Sequence, residues 1–428
     1  MDGKQAIEYI HSLYGQGKKR GLENGFAMME QLDGPDKKMK CIHVAGTNGK
    51  GSICAYIESV LRTQGYKTGL YTSPYLQTYN ERIRIDGAPV SDDALAKAVV
   101  EVKSAVDALR GRGILPTEFE VGTAAAFVAF ANAQVDYAII EVGIGGRLDT
   151  TNVITPAISV IGSIGLDHEK ILGDTVEQIA AEKAGIIKPG VPVMVYPQQE
   201  SVRRVIEDIA KRQNAPITFV EESAVVDVSL DMHGANYSFM GKNIRVNIPG
   251  KHQIYNSAAA IAALSVLCET GVDISEVVMI QGIRDTRWAG RLEWVGENVV
   301  IDGAHNPQGA RAMAEYAAEF FAGKKVAVVF GVLQKKEYHG ITQEIAKFAA
   351  CVFAVEPDAP KPLSAQEVVT MMGGFGVEAK AFGNLKEAVD VAKAFAGADG
   401  YVVIMGSLYL AGEARSLLMC KTCGETCA

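Results

Sequence analysis

Four side chains in the first half of the chain stand where packing alone does not ask for them: Lys50, Glu141, His168 and Lys183. Lys50 belongs to "HVAGTNGKGS", His43 to Ser52. This stretch breaks the usual phosphate-loop rule of Gly, four residues, then Gly-Lys and a Ser or Thr. Counting back from Gly49 and Lys50 puts Val44 where the first Gly belongs, and Gly51 takes the place of the hydroxyl. The context still reads as strand, turn and helix, since an apolar run ends at Ala45 and helical spacing continues through "ICAYIESVLR". Backbone N–H groups at such a helix start cradle an anion. Lys50 adds a mobile positive charge for outer phosphates, and Ser52, displaced by one residue, keeps a hydroxyl for magnesium. Gly46, Thr47, Asn48, Gly49, Lys50, Gly51 and Ser52 are therefore the expected phosphate-binding set, against the alternative of a plain Gly-rich turn.

Glu141 ends the apolar run "YAIIE" before the Gly-rich "VGIGGRLD", which puts a carboxylate at the carboxyl end of a sheet strand. That is where α/β sheets bind ligands, and magnesium is a fitting occupant; a plain strand-end carboxylate is the alternative. Asp167 and His168 in "GSIGLDHEKILG" follow another strand on the same rim, so His168 reads either as a metal ligand or as a structural histidine. In "TVEQIAAEKAGIIKPG" the apolar helical face of Val176, Ile179 and Ala180 leads on to Lys183. A desolvated lysine has a lowered pKa, and its neutral amine can take up carbon dioxide as an anionic carbamate. The alternative is a lysine whose stem lies on apolar surface while its ammonium reaches water.

These residues need rigid elements behind them. Apolar runs such as "CIHVA", "TGLYT", "DYAIIEV" and "AISVIGSIG" alternate with helical segments, which predicts an α/β fold with a mostly parallel sheet. From Ile217 to Ile248 the runs "ITFV", "VVDVSL", "NYSFM" and "IRVNI" are short and alternating, which predicts a small antiparallel patch. A second alternation follows "RWAGRLEW" and predicts a smaller, Rossmann-like α/β domain, so the expected division is 1–288 and 289–428. That half lacks a G-x-G-x-x-G after a strand, which leaves a dinucleotide site there unsupported.

Composition sets the outer bounds. With 428 residues, 48% hydrophobic and 21% charged, the chain suits a globular protein with two cores. A net charge of −8 opposes non-specific binding to nucleic acid or acidic membranes. No apolar run reaches the roughly 18 residues of a membrane helix, and the N-terminus shows no signal core, so the cytoplasm is the expected location. A monomer is the expected state. Cys41, Cys54, Cys268 and Cys351 read as reduced core thiols. The tail thiols Cys420, Cys423 and Cys427 lack the fourth ligand of a closed zinc site, so the tail reads as inert.

Taken in order, "GTNGKGS", "TSPYLQTYNERIRIDG", "TEFE", "EVGIGGRLDTTNVITP", "LDHEKILGDT", "EKAGIIKPG", "RLE", "IDGAHNPQGA" and "GSLYLAGEAR" resemble the folylpolyglutamate synthase and dihydrofolate synthase family, the folate branch of the Mur-type amide ligases. The resemblance runs nearly end to end. It implies that the shifted loop binds ATP, whose γ-phosphate passes to a carboxylate, and that L-glutamate then joins a folate or dihydropteroate through an acyl phosphate. It further implies that Ser73 and Glu141 ligate one magnesium ion and His168 a second, with Lys183 carbamylated. Asn256 and Arg291 would contact ATP phosphates, Asp302 and His305 the ribose and base side, and Thr117, Phe119 and Asp149 the pterin-containing substrate. Lys50, Lys183, His168 and Arg291 are the residues expected to act in catalysis. In "GLENG", Asn24 occupies a place where many family members carry Arg.

Two rival readings remain. A cell-wall Mur ligase would share the loop and the lysine, although "NERIRIDG" and "GSLYLAGEAR" resemble the folate branch instead. A phosphate-loop switch that binds a guanine nucleotide would need an N-K-x-D motif, which the sequence lacks.

Overall fold

The structure is a computed structural model that describes residues 1–17, 21–334 and 337–419, so the Cys420, Cys423 and Cys427 tail lies outside the described residues. The described chain divides into two compact units. The first comprises 1–228, 237–245 and 254–286, and the second 229–236, 246–253 and the chain from Arg287 onward. Among the described residues no helix is long and apolar enough to cross a membrane.

An eight-stranded sheet organises the first unit. Its strands run in the order Ala88–Pro89, Ile83–Ile85, Thr68–Tyr71, Tyr137–Glu141, Lys40–Ala45, Ile158–Ile161, Val193–Val195 and Ile217–Phe219. The six from Thr68–Tyr71 onward are mutually parallel, and at the other edge Ile83–Ile85 pairs antiparallel with Thr68–Tyr71 and Ala88–Pro89 antiparallel with Ile83–Ile85. The central strands are buried from end to end, which is why they read as continuous apolar runs rather than alternating ones. Strand Lys40–Ala45 is flanked by Tyr137–Glu141 on one side and Ile158–Ile161 on the other, while the chain leaving it crosses first to Thr68–Tyr71. The carboxyl end of this strand is therefore a topological switch point, the position where open α/β sheets leave a crevice for ligands.

The patch expected over 217–248 needs one correction. Strand Ile217–Phe219 pairs parallel with Val193–Val195 as the edge of the main sheet. The antiparallel three-stranded sheet contains only Val226–Asp231, Gly234–Phe239 and Lys242–Val246. Alternation reports a half-exposed strand without reporting its partner, and an edge strand is half-exposed in either arrangement. The amphipathic helix Glu200–Arg212, which buries Val202, Ile206 and Ala210, is the crossover that returns the chain in parallel.

The second unit holds a six-stranded sheet in the order Glu293–Val295, Val299–Ile301, Tyr401–Met405, Val326–Phe330, Cys351–Ala354 and Ala379–Ala381. It is parallel except for its first strand. Two donors, Trp294 Nε1 at 3.0 Å and Tyr316 Oη at 2.6 Å, converge on the carbonyl of Met232. This contact ties the 229–236 segment to the rest of its unit.

Candidate active site

The phosphate loop leaves strand Lys40–Ala45 and enters helix Lys50–Gln64 through Gly49, whose φ of 81° is left-handed. A side chain there would collide with the Asn256 amide, so Gly49 serves both the turn and the close approach of Asn256. The loop is pinned to the stretch after strand Ile158–Ile161. Thr47 N–H donates to Ser163 O at 2.7 Å, Thr47 Oγ1 donates to Gly165 O at 3.0 Å, and Gly162 N–H donates to Ala45 O at 2.7 Å.

Two lysines meet at this loop. Lys50 Nζ donates to Gly46 O at 3.0 Å and Thr47 O at 3.3 Å, and Lys183 Nζ donates to the same Gly46 carbonyl at 2.8 Å. Lys183 is 4% exposed. Burial, reinforced by the Lys50 charge, lowers its pKa from 10.5 to about 7, while Asp167 and Asp149 pull the other way. The choice left open by the sequence therefore falls against an ammonium reaching water.

Glu141 is buried at the end of its strand, and its Oε2 accepts the Ser73 N–H at 3.1 Å. Ser73 and Glu141 are thus neighbours. Ser52 is buried in the first turn of the loop helix. His168 adopts a left-handed φ of 54° at the start of the short helix Glu169–Leu172, with Nε2 4.0 Å from Asp167 Oδ1. Among the described residues no three His, Cys, Asp or Glu side chains cluster tightly enough to hold a metal unaided. One carboxylate with hydroxyls is still a fitting donor set for magnesium, which binds few protein oxygens and completes its shell with water and substrate phosphate.

The loop 143–149 and the start of helix Glu118–Ala133 bring two further expected residues together. A Cβ at Gly143 would lie 2.6 Å from Phe119 Cζ and 3.1 Å from Asp149 Oδ2, so Phe119 and Asp149 flank this glycine. Thr117 is the helix N-cap, in a capping box with Glu120. Glu120 Oε2 accepts Thr117 N–H at 2.6 Å and Asn24 Nδ2–H at 3.2 Å. Asn24 thus lies against the cap that orients Thr117. No sequence signal links the two, because the contact spans 96 residues.

In the second unit, Arg291, Asp302 and His305 gather around Gly303. Asp302 Oδ2 accepts Leu292 N–H at 2.8 Å and Oδ1 accepts Ala304 N–H at 2.7 Å. Its pKa is raised by burial, which outweighs the nearby Arg291 charge. His305 Nδ1 is 2.8 Å from Gly303 O. A Cβ at Gly303 would come within 2.5 Å of Arg291 Nη1, so the guanidinium passes over bare backbone. His252, which no sequence pattern singles out, is half-buried near Arg291, and desolvation together with that charge lowers its pKa to about 4.

Residues 44–264 match the family described as the Mur ligase middle domain, and 290–408 match the Mur ligase, glutamate ligase domain. The chain is 37% identical to the dihydrofolate synthase/folylpolyglutamate synthase of Bacillus subtilis (strain 168), over 97% of this chain and 99% of that one. It is 31% identical to the Escherichia coli (strain K12) protein of the same description, over 98% and 96%. Among solved structures it is similar to Mycobacterium tuberculosis folylpolyglutamate synthase complexed with ADP, with a TM-score of 0.90 at 30% identity, covering 99% and 98% of the two chains. It is also similar to E. coli FolC in complex with DHPP and ADP, with a TM-score of 0.87 at 29% identity, covering 99% of each.

Proposed function

The chain belongs to the folylpolyglutamate synthase/dihydrofolate synthase family of ATP-dependent glutamate ligases, and we propose that Lys50, Lys183 and the Phe119–Asp149 wall carry out this ligation on both dihydropteroate and reduced folates. The observation that carries this reading is the convergence of two lysines, one of them buried, on the Gly46 carbonyl of the phosphate loop.

ATP enters with its phosphates on the N–H groups from Gly46 to Ser52, and Lys50 turns from the loop carbonyls to the outer phosphates. An oxygen of the acceptor carboxylate attacks the γ-phosphorus and the bond to ADP breaks, leaving an acyl phosphate. The amine of L-glutamate adds to the acyl carbon, loses a proton, and the tetrahedral intermediate expels phosphate to leave the amide. Lys50 offsets the negative charge that builds during the first step. Arg291 takes a nucleotide phosphate, while Asp302 and His305 serve the ribose and base side. Asn256 packs on Gly49, a contact that supports a role for its amide at the phosphates.

Ser52, Ser73 and Glu141 would hold one magnesium ion and His168 a second, and such ions neutralise phosphate charge. Lys183 would serve this site as a carbamate. Its amine, with a pKa near 7, adds to carbon dioxide and releases a proton, replacing a buried cation with an anion. Thr117, Phe119 and Asp149 receive the pterin end of the acceptor.

The enzyme is proposed to act as a cytoplasmic monomer. The deciding experiment is labelled L-glutamate incorporation with ATP, comparing dihydropteroate with tetrahydrofolate. Products from both acceptors are expected. Product from tetrahydrofolate alone would restrict the enzyme to polyglutamylation, and product from neither would overturn the reading.

A further inference from the structure

His43 has no part in that chemistry, although it opens the phosphate-loop stretch. It lies in the middle of strand Lys40–Ala45 between Ile42 and Val44 and is fully buried. Its Nε2 is 2.9 Å from Thr151 Oγ1, while Nδ1 has no hydrogen-bond partner. Thr151 Oγ1 is in turn 2.6 Å from Asp149 Oδ1, which also accepts the Thr151 N–H at 3.1 Å.

The direction of these bonds follows from hydrogen counting. A carboxylate oxygen has no hydrogen to give, so the single hydrogen of the Thr151 hydroxyl goes to Asp149. The Thr151 oxygen must then accept from His43, which puts the imidazole hydrogen on Nε2 and leaves Nδ1 bare. An imidazolium would bury an Nδ1–H with nothing to receive it. Burial and the nearby Lys188 charge both act against that form. The result is a one-way chain, His43 to Thr151 to Asp149, in which each bond polarises the next. The other oxygen of Asp149 accepts Ile144 N–H at 3.0 Å and faces Gly143, with Phe119 on that glycine as well.

We propose that His43 is a positioning residue for acceptor recognition: through Thr151 it fixes the orientation of the Asp149 carboxylate beside Phe119. This role rests on the reading of Asp149 as an acceptor-binding residue. It assigns His43 to the acceptor even though its own strand runs directly into the ATP loop.

Steady-state kinetics with acceptor and ATP varied separately, using whichever of dihydropteroate and tetrahydrofolate is turned over, tests the proposal. His43→Leu is expected to raise the KM for acceptor about tenfold, in keeping with loss of a bond that supports a charged acceptor, and to leave the KM for ATP within about twofold. His43→Gln, which can offer an N–H near the Nε2 position, should recover most of the loss. Thr151→Val should match His43→Leu, Thr151→Ser should stay near the parent, and the double variant should be no worse than Thr151→Val alone, because either change breaks the same chain. A His43 that merely fills the strand would instead disturb the loop that follows, so comparable rises in both KM values overturn the proposal. Asp149→Asn separates the two layers. If it leaves the acceptor KM unchanged, the acceptor reading of Asp149 falls and the relay with it. If it raises that KM while His43→Leu and Thr151→Val do not, the acceptor reading stands and the relay is overturned. Should His43→Leu fail to fold, the Thr151→Val and Thr151→Ser pair decides the matter in its place: a raised acceptor KM in the first alone supports the relay, and no difference between the two overturns it.

Discussion

At Gly46 a single carbonyl oxygen takes hydrogen bonds from two lysines, and the Lys50 charge adds to the cost of a charged Lys183. The consequence for Lys183 can be measured as stability. With its pKa lowered from 10.5 to about 7, the folded protein holds fewer protons than the unfolded chain between those values, so stability rises with pH across that window. Below pH 7 the full penalty of a buried ammonium is present. Lys183→Met should therefore raise the melting temperature of carbonate-free protein most near pH 6, with the gain shrinking by at most about 1.4 kcal/mol per pH unit as the pH climbs. A gain that is flat with pH would show that the amine is not charged and buried. With labelled bicarbonate, carbon-13 NMR should show a carbamate signal that Lys183→Met abolishes. Full activity without that signal would leave Lys183 an ordinary amine. Lys50→Ala should lower glutamate ligation by at least about a hundredfold while leaving the melting temperature nearly unchanged, since the loop cation acts on phosphates and not on a core. Lys183 was legible in the sequence because a lysine on an apolar helical face is a local contradiction. The role of His43 was not, because its partner Thr151 lies 108 residues away and no local pattern links them.

At the scale of elements, the Gly-rich loop 143–149 and the helix Val176–Ala184 are fitted together by missing side chains. A Cβ at Gly146 would sit 2.7 Å from Lys183 O, and one at Gly185 would collide with Arg147. Arg147 N–H donates to Glu182 O at 2.7 Å, its Nη2 reaches Glu182 Oε1 at 2.8 Å, and Asn152 Nδ2 donates to both Arg147 O and Gly185 O at 3.0 Å. The loop that carries Asp149 is thus seated on the end of the helix that carries Lys183. Gly185 has a φ of −63°, which any residue adopts, so the cost of Gly185→Ala is steric and not conformational. That substitution should cost about 1–3 kcal/mol in urea unfolding and lower turnover, whereas Gly374→Ala, which meets nothing within 4 Å, should do neither. Equal behaviour of the two variants would show that the seating is slack. Helices and buried strands near this seating could be read from periodicity and apolar runs. Its close fit could not, since a glycine that avoids a clash looks in sequence like one that only turns the chain.

The whole molecule poses the same problem of distance at its largest scale. From sequence, the second alternation of strands and helices begins near residue 289, and nothing in the short polar runs before it signals a different allegiance. The structure nonetheless places 229–236 and 246–253 in the second unit. The reason is visible in its core. Trp294 packs edge-on against Phe321 and Tyr401, with Phe321 and Tyr401 stacked at 4.1 Å, and the indole N–H at one side of this group needs an acceptor. Met232 O supplies it and accepts the Tyr316 hydroxyl as well. A fragment beginning at Arg287 would lose that carbonyl: the indole N–H keeps the Tyr316 oxygen at 3.2 Å, while the Tyr316 hydroxyl loses its acceptor, at a cost of about 1–3 kcal/mol if it stays unpaired. Such a fragment should keep its helical and strand signal in far-ultraviolet circular dichroism but unfold at lower urea, with weakened near-ultraviolet signal from Trp294. In the full chain, Tyr316→Phe removes one donor without stranding the other and should cost little, about 1 kcal/mol. If the fragment from Arg287 instead unfolds at the same urea concentration as the second unit does in the full chain, the Met232 carbonyl contributes nothing to its stability and the boundary near 289 is the energetic one.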